Sequence, residues 1–146
     1  MIETISELIL RSPKLGDVTY TLEDVVRFPQ GIPGFEGLRE FLLVSRDECT
    51  PFVFLASLDR PDVALPLLPL AVAAAGIAPV TEMVGSLGEA VSDDAMGYYA
   101  VVSIGANAQD IVVNLRAPVV VNLDTRLGCQ VILEDETLPV GARLPA

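Results

Sequence analysis

VVNLRAPVVVNL, residues 112 to 123, states one four-residue phrase twice: Val112-Val113-Asn114-Leu115 returns as Val120-Val121-Asn122-Leu123, with Arg116-Ala117-Pro118-Val119 between. Short runs built on paired valines read as strands. Proline has no N–H to give a ladder, so Pro118 forces a bulge or bend. Two strands, Ile111 to Leu115 and Val119 to Leu123, would then meet at a corner. Each carries an asparagine inside an apolar run, and a buried amide needs partners for both its oxygen and its nitrogen. Asn114 and Asn122 are read first as ties that bind loops to this corner by side-chain hydrogen bonds. A ligand-binding role for them is the alternative.

The rest of the chain follows the same short β rhythm. Ser6 to Arg11 and Asp17 to Leu22 flank a turn, and Val25, Val26 and Phe28 form a brief apolar run that stops at Pro29. Phe41 to Ser45 and Pro51 to Leu58 are joined by the acidic turn Arg46-Asp47-Glu48, the pattern of a hairpin. Ala64 to Leu70, Tyr98 to Ile104 and Gly128 to Leu133 complete the set. A weak helix is expected only within Thr81 to Val91. Parallel α/β folds need a helix between successive strands, and the chain has no room for them. The expectation is one all-β domain over residues 1–146, mainly antiparallel and barrel-like, with one or two short helical turns and a flexible end over the last eight or so residues.

A second stretch, FPQGIPGFEG at residues 28 to 37, is dense in glycine, proline and phenylalanine. A phosphate cradle needs glycines at fixed spacing, a following helix and usually a lysine. Gly31, Gly34 and Gly37 do not fit that spacing, and the nearby Glu36, Arg39 and Glu40 are mixed in sign. A stiff corner fits better. Pro33-Gly34 suits the central positions of a type II turn, and Ile32 before the proline is held extended. Phe28 and Phe35 can then bury a ring on either side.

Composition excludes much. The 146 residues hold 20 acidic and 9 basic side chains, net −11, with Lys14 the one lysine. Direct nucleic-acid binding needs a basic footprint that is missing here. With no histidine in the chain, Ser-His-Asp and Cys-His catalysis and histidine metal sites are all excluded. Cys49, beside Asp47 and Glu48, lacks the electropositive surroundings of a reactive thiol, and Cys129 reads as a small buried strand residue. The two cysteines and the absence of a basic, apolar leader point to a cytoplasmic protein with free thiols. Val63 to Val80 runs 18 residues without a charge, but Pro66, Pro69, Gly76 and Pro79 interrupt it. It reads as a buried strand and an apolar loop, not a membrane span. No catalytic, metal-binding or cofactor-binding residue is identified.

The two blocks together resemble the flagellar assembly factor (FliW) family. FPQGIPGFEG, followed by Phe41-Leu42-Leu43 and by Pro51-Phe52 with Leu55-Ala56-Ser57, is similar to one family hallmark. VVNLRAPVVVNLDTRLGCQVIL, from Val112 to Leu133, is similar to the other. The mid-chain departs from the family pattern: ALPLLPLAVAAAGIAPV is apolar and proline-broken where members commonly carry an acid and an aromatic. The resemblance implies a non-enzymatic β-barrel adapter that binds flagellin before export. It also implies binding to the carbon storage regulator, an RNA-binding translational repressor, so that flagellin translation follows flagellum assembly. Phe28, Gly31, Pro33, Gly34, Phe35, Asn114, Pro118 and Asn122 are the expected structural motif. Glu36, Arg116, Glu134, Asp135 and Glu136 are the expected partner-facing residues. The alternative is a small-ligand-binding β-barrel with its pocket near the Asn114–Asn122 corner.

Overall fold

The structure is a computed structural model that describes residues 7–70, 96–104, 111–132 and 142–143. Ten strands are described. β1 (Leu8–Ser12) and β2 (Gly16–Tyr20) form a separate hairpin. β3 (Val26–Arg27), β4 (Glu40–Ser45), β5 (Val53–Ser57), β6 (Ala64–Pro69), β7 (Met96–Ile104), β8 (Ile111–Asn122) and β9 (Leu127–Gln130) make the main sheet, and β10 (Ala142–Arg143) adds to its edge. Two single 3-10 turns, Leu22–Asp24 and Asp47–Cys49, interrupt the strands.

The main sheet closes on itself. β3 to β9 follow one another around a ring, and β9 pairs both with β8 and with β3. Closing seven strands has a geometric consequence. Direction alternates around the ring, so an odd number forces one neighbouring pair to run the same way. That pair is β3–β9, joined at Arg27 and Leu127, and all the others are antiparallel. Closure removes most of the exposed edge that an open sheet would present.

Alternation along the strands sorts side chains into layers. Val26, Phe28, Phe41, Leu55, Leu67, Val119 and Val121 fill the interior. On β4 and β5, Leu42, Val44 and Ala56 face outward, and the β1–β2 hairpin covers them with Leu10, Val18 and Tyr20. Arg46 clips the hairpin down by donating from Nη2 to the Leu15 carbonyl at 3.0 Å.

The all-β, barrel-like expectation is met. The Phe41–Ser45 and Pro51–Leu58 runs form the expected hairpin, β4–β5. The corner at Pro118 takes a different form from two separate strands. β8 is one strand of 12 residues, and the irregularity lies inside it. Tyr99 faces Val119 and Val101 faces Asn114, so the single Ala100 of β7 spans Leu115 to Pro118 of β8. Ala142 and Arg143 lie within the end expected to be flexible, and they pair with Val113 and Val112. The expected helix at 81–91 and residues 71–80 of the apolar run lie outside the described residues. Among the described residues no helix is long and apolar enough to cross a membrane.

Candidate functional site

FPQGIPGFEG folds as successive tight turns. The Gly31 N–H donates to the Phe28 carbonyl (2.8 Å), Phe35 N–H to Ile32 (2.7 Å) and Leu38 N–H to Phe35 (2.9 Å). The middle turn holds Pro33 and Gly34 at its centre, with Gly34 at φ 89°, as a type II turn requires. Gly31, at φ 69°, has a second constraint: a Cβ there would lie 2.7 Å from the Glu36 carbonyl oxygen. The loop is closed at its base by Phe28 N–H donating to the Arg39 carbonyl at 2.8 Å. The Arg39 guanidinium donates to the Pro29 carbonyl.

Phe28 anchors this loop in the barrel. It is fully buried and meets Phe41 edge-on, with ring centroids 5.1 Å apart and planes at 71°. On its other side lies Gly128 of β9, where a Cβ would stand 2.6 Å from the ring's Cζ. The two blocks, separated by most of the chain, therefore interlock through an aromatic ring and a bare backbone. Phe35 is half-buried against the same core, and Ile32 and Leu38 are buried within it.

The second block forms the neighbouring wall. Asn114 Oδ1 accepts the Arg116 N–H at 2.9 Å, which holds the start of the bulge. Gln130 Nε2 donates to the Ala117 carbonyl at 2.9 Å, and Val131 N–H to the Pro118 carbonyl at 2.9 Å. Asn122 is fully buried; its Oδ1 accepts N–H bonds from Asp124 (2.9 Å) and Thr125 (3.2 Å). Its carbonyl accepts the Arg126 N–H at 2.8 Å. Both asparagines are thus engaged with nearby backbone, the first to shape the bulge and the second to cap the β8–β9 connection.

Pro33 of the first block and Asn114, Arg116, Ala117, Gln130 and Ile132 of the second line one groove of about 330 Å³. Ile132 is 65 % exposed at its rim. The groove is open to solvent and differs from the enclosed polar cavity that a small-ligand site near Asn114 calls for. The structure brings Arg116 to the groove. Glu36 is exposed, but its carboxylate turns back to accept the Gly34 N–H at 3.2 Å. Its own backbone N–H first, and the Gly34 N–H second, hold the Glu36 carboxyl below its ordinary range. Glu134, Asp135 and Glu136 lie outside the described residues. Burial pushes the Cys129 thiol upward, away from thiolate reactivity. Among the described residues no group of three His, Cys, Asp or Glu side chains is placed to hold a metal. Sequence reasoning did not assign a role to Gln130, Ile132 or the packing of Gly128. A glycine inside a strand is a general sign of close approach, and that signal was present at Gly128.

The interlocked blocks are matched by known proteins. The family model described as FliW protein matches residues 9–144. The chain belongs to the FliW family. A flagellar assembly factor FliW from Thermotoga petrophila is 36% identical over 126 residues, covering 84% of each chain. One from Clostridium tetani is 31% identical over 122 residues, covering 83% of this chain and 84% of the relative. The crystal structure of a flagellar assembly factor FliW superposes with a TM-score of 0.82 at 28% identity, covering 97% of this chain and 99% of that one. These relatives are flagellar assembly factors.

Proposed function

We propose that this chain is a cytoplasmic, non-enzymatic adapter of flagellar assembly. It binds flagellin and, in flagellin's absence, the carbon storage regulator, so that flagellin translation tracks flagellum assembly. The observation that carries this reading is the convergence of the two FliW blocks on one open groove, where Pro33, Arg116 and exposed Ile132 stand together. An open, apolar-rimmed groove with a single cation suits an amphipathic protein segment better than a small metabolite. The net charge of −11 favours encounter with a basic RNA-binding protein. Glu134, Asp135 and Glu136 are the proposed contacts for that partner, and Arg116 the proposed contact at the groove.

The test is direct binding of the purified chain to flagellin and, separately, to the regulator by calorimetry in moderate salt. Micromolar or tighter binding to both, with competition between them, is expected. Failure to bind either partner overturns the reading. Reversal of Glu134-Asp135-Glu136 to lysines is expected to weaken the regulator complex and reduce its salt dependence. Unchanged affinity across a salt series would remove that cluster from the interface.

A further inference from the structure

A different part of the surface holds main chain with no partner. In β4, Glu40 accepts the Leu58 N–H at 2.9 Å on the β5 side. Hydrogen-bonding direction alternates along a strand, so Leu42 and Val44 continue that ladder. Phe41, Leu43 and Ser45 turn their N–H and C=O groups to the opposite edge. There β3 runs only from Val26 to Arg27 and reaches no further than Phe41. Among the described residues, nothing pairs with the outward groups of Leu43 and Ser45.

That edge borders a groove of about 260 Å³, shared with Thr19 and Tyr20 of β2, Asp24 and Arg126. Asp17 O accepts from Arg46 on the side away from β1, and by the same alternation Thr19 also turns its main chain away from β1. Two charged residues border the groove. The Asp24 carboxylate keeps its charge but is turned toward Thr21, accepting its N–H at 2.8 Å and its hydroxyl at 3.3 Å. Arg126 is held at φ 59°, a left-handed conformation that non-glycine residues adopt uncommonly. Among the described residues its guanidinium makes no ion pair and donates no hydrogen bond. The groove thus offers an unpaired strand edge beside an unspent cation.

We propose that this groove is a strand-accepting site. A short extended segment of a partner protein pairs its main chain with Leu43 and Ser45 and sets a side-chain carboxylate on Arg126. Main-chain pairing supplies affinity, and the cation supplies the choice of sequence. The site shares no lining residue with the groove beside Pro33, and its test does not depend on flagellin or the regulator.

The probes are capped pentapeptides of alternating valine and threonine, with one glutamate placed at each position in turn. Binding is read by amide chemical shift and hydrogen exchange. Protection of the Leu43 and Ser45 amides by at least one peptide is expected, and no protection with any of them at millimolar concentration overturns the proposal. Ser45→Pro removes an outward N–H without breaking the β5 ladder and should abolish binding, whereas Ser45→Ala should retain it. Arg126→Gly suits the positive φ, so the fold persists, and it should weaken the glutamate peptide about tenfold while sparing its glutamine analogue. Equal loss for both analogues refutes the role of the charge. Self-association of the chain that Ser45→Pro abolishes would make the occupant a second copy and would overturn the assignment to a partner protein.

Discussion

Replacing Gly128 by alanine tests whether the two sequence blocks are mechanically joined. The new Cβ would stand 2.6 Å from Phe28 Cζ, 2.7 Å from Cε1 and 3.0 Å from Cε2. Carbon atoms rest comfortably at roughly 3.5–4.0 Å, so the ring must retreat by about an ångström. It has nowhere to go, because Phe28 is fully buried and seated against Phe41. Overpacking of this kind costs about 1–3 kcal/mol, which at roughly 2–4 °C per kcal/mol lowers Tm by several degrees. Phe28→Leu removes the ring atoms that meet the methyl group. In that background Gly128→Ala should cost less than about 0.5 kcal/mol, or stabilise slightly by restricting the unfolded chain. Urea denaturation of the wild type, both single variants and the double variant gives the cycle, and the expected coupling is about 1–3 kcal/mol in the direction of rescue. An equal cost of Gly128→Ala in both backgrounds would show that the contact does not join the blocks.

Asn122→Ala removes the acceptor of two loop N–H groups at a fully buried position. A loss of about 1–3 kcal/mol is expected by chemical denaturation, with faster amide exchange at Asp124 and Thr125. Glu36 gives a pH test. Its folded-state carboxyl titrates below the ordinary range, because its own N–H and then the Gly34 N–H stabilise the anion. Its contribution to stability is therefore complete above the unfolded-state value and is lost as pH falls through the lower folded-state value. Glu36→Gln should flatten that part of the acid limb and leave neutral stability lower than in the wild type. An NMR titration that places the Glu36 carboxyl at or above the ordinary glutamate value would refute the argument.

What could be read from sequence was whatever depends on local backbone rules. Pro33-Gly34 fixed its own turn type, because proline sets φ and glycine accepts the positive value that the next position needs. Pro118 announced an irregularity, since a missing N–H breaks a ladder wherever it falls. The size of that irregularity was not legible. It depends on how β7 lies alongside, and only the pairing of Tyr99 with Val119 and Val101 with Asn114 reveals that four residues face one. Closure was equally hidden. The run at Val25 to Phe28 looked like one more short strand, yet its two paired residues complete the ring through Leu127. At the groove, Pro33 and Arg116 were visible as a turn and a lone charge, but their meeting is a property of the barrel's curvature. The inward bend of the Glu36 carboxylate followed from the turn's free N–H groups, which become countable only once the turn is built.

The single parallel seam of the seven-stranded ring also sets an order of events. Arg27 and Leu127 join strands from opposite ends of the chain, and Phe28 cannot find Gly128 until both have been made. The β4–β5–β6 meander has only short loops to close and can form early, whereas the seam carries the largest loop-closure entropy in the barrel. During synthesis, the groove between the two blocks does not exist until Gly128 and the residues after it are available to fold. A chain that stops before Gly128 lacks β9, so it has neither the β3–β9 seam that closes the ring nor the Gln130 and Ile132 side of the groove.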